Sequence, residues 1–306
     1  MGKIRNFCRR NGISLKTPRG WAQLFRRTAQ FIKKNKGHVF RSVCLKLGGG
    51  VLSGEQMQEK ERTYPNVRAD CVPKQRELAA LACAAQSFRH RYSFSVVVMV
   101  TEGSGALDDL IADVGKQIFP AKEICLCGAF ARAGADGEKS GGMAEYPLFP
   151  DVRAAYGSLT ADYVVTVREG DRLEREALFE MAYELDRAAE PLPAVYCDHD
   201  RIGKEGYEDP YFKPGFSPDL LLACDYVCGA YAVRRDRLAA ARQDASLPYR
   251  VFLYDLFLQC TADGPCAHAA GPLFHLAEDE KRSDEQEAYA AVRARILEMR
   301  GGEAVL

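Results

Sequence analysis

Along this chain the spacing of apolar positions alternates between continuous or period-two runs and a period near 3.6. SFSVVVMV (Ser93–Val100) is a β-branched run that predicts a buried parallel strand. Ala106–Gln117 has helical spacing. EICLC (Glu123–Cys127) reads as a second strand, and Val152–Leu159 as a short helix. ADYVVTV (Ala161–Val167) predicts a third strand, Leu173–Ala189 a long helix, AVYCD (Ala194–Asp198) a fourth strand and Asp225–Val233 a fifth. A helical segment, Lys74–Gln86, precedes them. Gly134–Gly142 reads as a loop, and Gly48–Gly50 with the polar stretch to Glu61 as a linker. Strand–helix order of this kind predicts an α/β fold with a mostly parallel sheet and helices on both faces.

Charge changes the picture at one end only. Lys+Arg and Asp+Glu number 42 each, yet residues 1–46 carry thirteen basic residues and no acid. A chain of formal charge zero is therefore a +13 arm joined to a −13 body. Within the arm, Trp21, Leu24, Phe25, Phe31 and Ile32 recur at helical spacing among Arg26, Arg27, Lys33 and Lys34, which predicts two short basic helices. Such helices either pack on the body as a solvated pair or lie on anionic lipid, where each cation contributes about 1 kcal/mol. The body offers no nucleic-acid module, so no nucleic-acid partner is expected. No apolar run approaches the roughly 20 residues of a membrane span, and the N-terminus lacks the apolar core of a secretory signal. Eleven cysteines without framework spacing fit reduced thiols in a cytoplasm. Cys125 and Cys127 share a strand face, and neither they nor Cys224, Cys228, Cys266 and His268 complete a zinc pattern.

In an open α/β sheet, ligands bind beyond the carboxyl ends of the strands. The first strand ends in Thr101 and Glu102, the third in Arg168-Glu169-Gly170-Asp171, and the fourth in Asp198-His199-Asp200. Two acidic clusters at strand ends suit a hard divalent cation shared with substrate phosphates. They also suit ordinary turns. Arg168 beside Asp171 is either a salt-bridge partner or a fixed cation that takes over part of a metal's charge on a diphosphate.

The stretch YCDHDRIGKEGYEDPYFKPGFSPDLLLACDYVCGAYAVRR (Tyr196–Arg235) resembles the middle of bacterial family-2 glycosyltransferases with the GT-A fold. Those enzymes share its acidic strand end, Phe-Lys-Pro segment, Ser-Pro-Asp-Leu-Leu segment and Arg-Arg-terminated strand. The likeness extends more weakly from Ser93 to about His275, and the basic N-terminal helices are similar to extensions of polysaccharide- and O-antigen-assembly members. The resemblance implies a GT-A-like domain over 91–306, preceded by a basic helical extension and linker over 1–90. It implies a nucleotide-sugar donor, Mn²⁺ or Mg²⁺ on its diphosphate, and inverting transfer to a hydroxyl of a surface glycan or lipid-linked oligosaccharide. The expected location is the cytoplasm, peripheral at the inner face of the plasma membrane.

Carried over residue by residue, the resemblance makes Asp171 and His275 the metal ligands. Thr101, Glu102, Arg168, Glu169 and Asp171 face the donor. Asp198, His199, Asp200, Lys213 and Gly229 lie on the acceptor side. His199 is either an acceptor-site residue or an exposed turn residue, and Lys213 either lies near the acceptor or is a surface lysine in a loop fixed by Phe212 and Pro214. The sequence departs from the family at several positions. Gly128 and Ala129 stand where the second strand ends in acids, and Leu253 stands at the general-base position, which leaves Asp255 as the nearest candidate base. Those departures raise an alternative, a catalytically inactive GT-A-like module that binds glycan or partner proteins.

Overall fold

The computed structural model describes residues 64, 68, 71–101, 105–128, 146–204, 206–277 and 285–300. The basic helices, the linker, Glu102, Ala129 and the Gly134–Gly142 loop lie outside the described residues. The chain divides into two compact units, Met1–Val72 and Pro73–Leu306, and the elements below belong to the second.

Among the described residues nine strands are present: β1 Phe94–Met99, β2 Glu123–Cys127, β3 Leu148–Phe149, β4 Tyr163–Arg168, β5 Arg172–Leu173, β6 Ala194–Gly203, β7 Gly206–Tyr211, β8 Tyr231–Arg234 and β9 Ala267–Leu276. The helices are α1 Gln75–Ala84, α2 Gly105–Gly115, α3 Val152–Ser158, α4 Ala177–Asp186, α5 Pro218–Ala223, α6 Arg235–Ala240, α7 Tyr249–Cys260 and α8 Gln286–Met299. The strands form one sheet in the order β3-β2-β1-β4-β8-β6-β9-β5, with β7 paired to β6. From β3 to β4 every ladder is parallel, as is β6 with β9; β8, β7 and β5 join antiparallel.

Alternation along β1 separates two cores. Val96 and Val98 point to the face packed by Leu107, Leu110, Leu178 and Met181, whereas Val97 and Met99 point to the face packed by Tyr196, Tyr231, Phe252 and Phe257. Cys125 and Cys127 share that second face as buried cysteines outside any disulfide and serve as small apolar side chains. Among the described residues no helix is long and apolar enough to cross a membrane.

Three elements differ from expectation for local reasons. The segment read as a helix from Leu173 is a helix only from Ala177, because Arg172 and Leu173 pair with His275 and Phe274 as β5. The fifth strand starts at Tyr231 rather than Asp225. Cys228 and Gly229 take φ of +53° and +76°, values incompatible with an extended ladder. Asp225 Oδ1 accepts from Cys228 N at 2.8 Å and holds that turn. The Ser-Pro-Asp segment becomes the start of α5: the Ser217 hydroxyl accepts from Leu220 N, and Pro218 opens the helix.

Candidate functional site

The parallel strands β1 and β4 end side by side, and their tips are tied together. Glu169 N donates to Met99 O at 2.9 Å, and Glu169 Oε2 accepts from both Thr101 N (2.9 Å) and Thr101 Oγ1 (3.1 Å). The chain then turns sharply. Gly170 has φ +95°, a backbone conformation that strains any other residue, and a Cβ there would stand a tight 3.2 Å from Ala277 Cβ. Across the turn Arg168 N donates to Asp171 Oδ2 at 3.0 Å and Asp171 N to Arg168 O at 2.9 Å. Asp171 Oδ1 accepts from Ala277 N at 2.9 Å, which pins the end of β9 to the β4 tip. Thr101, Arg168, Glu169 and Asp171 are thus one cluster.

Two further residues join it that sequence reasoning missed, Tyr249 and Arg250 in the first turn of α7. The Arg250 guanidinium lies 3.6 Å from Asp171 Oδ1. Both guanidiniums sit over the Tyr249 ring, Arg168 at 5.3 Å and Arg250 at 5.4 Å from its centroid. The available signal was modest: α7 buries every residue except Arg250 and Gln259. An arginine at the start of a helix that is otherwise apolar all round is where such a helix meets a polar site.

His275 is held elsewhere. Its Nδ1 bonds Asp200, its Nε2 lies 3.4 Å from Glu174 Oε1, and its ring stacks 3.9 Å from that of Tyr207. Burial opposes the charged imidazolium, but hydrogen bonds and charge from Asp200 and Glu174 outweigh it and raise the pKa above 6.5. Expected as metal ligand and acceptor residue respectively, His275 and Asp200 instead serve each other, while the Asp171 oxygens face main-chain N–H groups and Arg250. Among the described residues no three His, Cys, Asp or Glu side chains converge as a metal site would require.

Of the residues expected on the acceptor side, Asp198 is 3% exposed and holds three partners. It accepts from Lys213 N (2.9 Å), His268 Nε2 (2.8 Å) and Gly271 N (2.7 Å). It fills the bulge where the β6–β9 register jumps from Cys197↔Ala269 to Asp198↔Pro272. Burial raises the pKa of Asp198, yet these hydrogen bonds prevail and lower it. His199 is buried within β6 with its ring 5.4 Å from that of Tyr211, so it is not an exposed turn residue. Nor is Lys213 a surface lysine. It is buried, burial lowers its pKa, and its ammonium donates to Val227 O at 2.5 Å. Phe212 beside it is 65% exposed.

Gly229 ends this region against α7. A Cβ on it would meet Leu253 Cδ1 at 2.7 Å and Arg250 Nη1 at 3.4 Å. Leu253, at the position of the expected base, is buried beneath it. Asp255 corrects the expectation placed on it. Two helical residues span about 200°, so Asp255 points away from Leu253 and Gly229. It is 2% exposed and forms an ion pair with Arg295 of α8. Burial raises its pKa and Arg295 only partly offsets this. A carboxyl locked between helices is no general base for a substrate.

No known family profile matches the chain. The fold is that of GT-A glycosyltransferases. It is similar to the crystal structure of S. aureus TarS 1–349 in complex with UDP, with a TM-score of 0.50 and 13% identity over 70% of this chain and 67% of that one. Against the longer S. aureus TarS structure the TM-score is 0.52 and the match covers 40% of that chain. In sequence, 131 residues are 33% identical to the O-antigen biosynthesis protein RfbC of Myxococcus xanthus, covering 42% of this chain but 10% of that protein. The likenesses to glycosyltransferases and to a polysaccharide-assembly protein agree with the resemblance carried by Tyr196–Arg235.

Proposed function

We propose that this chain transfers a sugar from a nucleotide-sugar donor to a hydroxyl of a surface-glycan or lipid-linked oligosaccharide acceptor, with inversion at the anomeric carbon. The observation that carries the reading is the cluster at the carboxyl ends of β1 and β4, where an α/β sheet receives its ligand. Thr101, Glu169 and Gly170 shape that end, and Arg168, Asp171 and Arg250 line it. Similarity to RfbC, an O-antigen biosynthesis protein, supports the acceptor class. In such a transfer the acceptor hydroxyl oxygen attacks the anomeric carbon while the sugar–phosphate bond breaks. The hydroxyl proton passes to water or to the departing diphosphate, so the enzyme's task is to stabilise charge on that diphosphate. Asp198, His199, Asp200, Lys213 and Gly229 set the acceptor side through position: the Asp198 clamp and the Asp200–His275 pair anchor the β6–β7 hairpin.

The expected Mn²⁺ or Mg²⁺ does not fit the described residues. Asp171 accepts from Arg168 N and Ala277 N beside Arg250, His275 lies between Asp200 and Glu174, and among the described residues no three such side chains converge on one point.

A second reading, a GT-A-like module that binds glycan or partner proteins without turnover, is favoured by one observation: Leu253 fills the base position under Gly229. Incubation with UDP-sugars and dTDP-sugars, reading released nucleotide diphosphate with and without acceptor glycan, separates the two. Acceptor-dependent release supports transfer, and nucleotide binding without release supports the module. For residues 1–46 the proposal is contact with an anionic membrane surface. Charge reversal of Arg26, Arg27, Lys33 and Lys34 in the full chain then abolishes sedimentation with phosphatidylserine vesicles; unchanged sedimentation refutes it.

A further inference from the structure

We infer that the donor diphosphate is held by a pair of guanidiniums, Arg168 and Arg250, oriented on Tyr249 and acting without a divalent cation. This rests on the donor reading above and specifies how its anion is bound.

The first argument is the chemistry of the cluster. A cation-bridged diphosphate needs several carboxylate or imidazole ligands converging on one point, and among the described residues no three do. Here Glu169 is committed to Thr101, and Asp171 accepts two main-chain N–H groups with a guanidinium 3.6 Å away. Carboxylates alone at the strand tips would repel a diphosphate. Arg168 and Arg250, each within 5.4 Å of the Tyr249 ring centroid and each also donating to a main-chain carbonyl (Ala277 O and Cys228 O, 3.5 Å), offset that repulsion, and their planar forks of N–H donors match phosphate oxygens in pairs.

The second argument is preorganisation. Both guanidiniums rest over one buried aromatic ring, at 5.3 and 5.4 Å from its centroid, so neither arginine must be gathered from solvent when the anion arrives. They come from opposite directions in the fold. Arg168 ends β4, while Arg250 sits in the first turn of the twelve-residue helix α7, whose N-terminal dipole adds to the same positive field. Asp171 then has a clear part: it holds the Arg168 backbone and draws Arg250 toward the β4 tip.

Isothermal titration of the full chain with UDP and with dTDP, in EDTA and again in Mn²⁺, tests this. The expected result is affinity equal within about twofold in the two buffers, weakened about tenfold or more by Arg168→Gln and by Arg250→Gln, the loss of one charge-assisted contact each. Arg237→Gln, on the surface beside Asp263, serves as the control and leaves affinity unchanged. Binding abolished by EDTA and restored by Mn²⁺ overturns the inference and leaves the donor reading standing. So does metal-independent binding that both arginine variants retain. Absence of nucleotide binding in either buffer overturns the donor reading itself. If Arg250→Gln fails to fold, as judged by its melting curve, Arg168→Gln decides alone, since its side chain is only half-buried.

Discussion

At the tips of β1 and β4, buried carboxylates hold main-chain N–H groups while two guanidiniums rest on a single tyrosine ring. Little more than a helical turn away along α7, Leu253 closes on Gly229 and Asp255 is buried against Arg295. The same helix feeds both regions. Arg250 and Leu253 lie three residues apart on one face, and Asp255 lies on the other. The contrast teaches that charge type is a poor guide to chemistry in this molecule. Asp255, Asp198 and His275 are committed to a guanidinium, an imidazole and a carboxylate respectively, whereas Arg168 and Arg250 rest on an aromatic ring at the carboxyl end of β4. Asking what each group already holds separates the two kinds.

The sharpest way to break this contrast is to strip a committed group of its partner. Arg295→Met leaves Asp255 buried and unpaired, and urea unfolding should show a loss of about 3 kcal/mol, most of it recovered when Asp255→Leu is added. A loss below about 1 kcal/mol would mean that Asp255 reaches solvent and that its exclusion from chemistry is wrong. Gly229→Ala comes next. The left-handed φ and the 2.7 Å approach to Leu253 predict a cost of about 2 kcal/mol. In a Leu253→Ala background the steric part should vanish and only the backbone part persist, so additive costs would refute the packing account.

His275 gives a smaller, pH-dependent effect. Its folded pKa is raised above 6.5, so the imidazolium's contribution is complete below pH 6.5 and disappears as pH climbs through the raised value. Chemical denaturation at stepped pH should show stability falling on the alkaline side, and His275→Gln should flatten that slope. A slope unchanged in the variant would assign it to other groups. The smallest stability effect belongs to Arg168→Gln, about 0.5–1 kcal/mol from the lost ring contact. If it instead unfolds the protein, Arg168 is a structural residue.

Much of the parallel half was legible because its strands are continuous β-branched runs. Glu123–Cys127 is observed as expected, and the first and third strands shift by a residue or two at their ends. The β7 and β9 strands were not legible. AHAAGPLFHL combines alanines, a glycine and a proline, and becomes a strand only because β6 and β5 flank it and Asp198 fills its bulge. That Thr101, Arg168, Glu169 and Asp171 lie together followed from strand ends. The partnership of His275 with Asp200 did not, because a residue's chain position says nothing about which ring nitrogen meets which carboxylate.

Sequence alone settled the α/β class, the run of parallel strands and the polar residues at their tips, because periodicity and turn chemistry act between near neighbours in the chain. Only the tertiary structure decided which of those polar residues are consumed by packing, that Arg250 and Tyr249 come to the β4 tip, and that Asp255 turns away from it. Those outcomes depend on contacts across 40 to 110 residues of chain, and no local pattern encodes them.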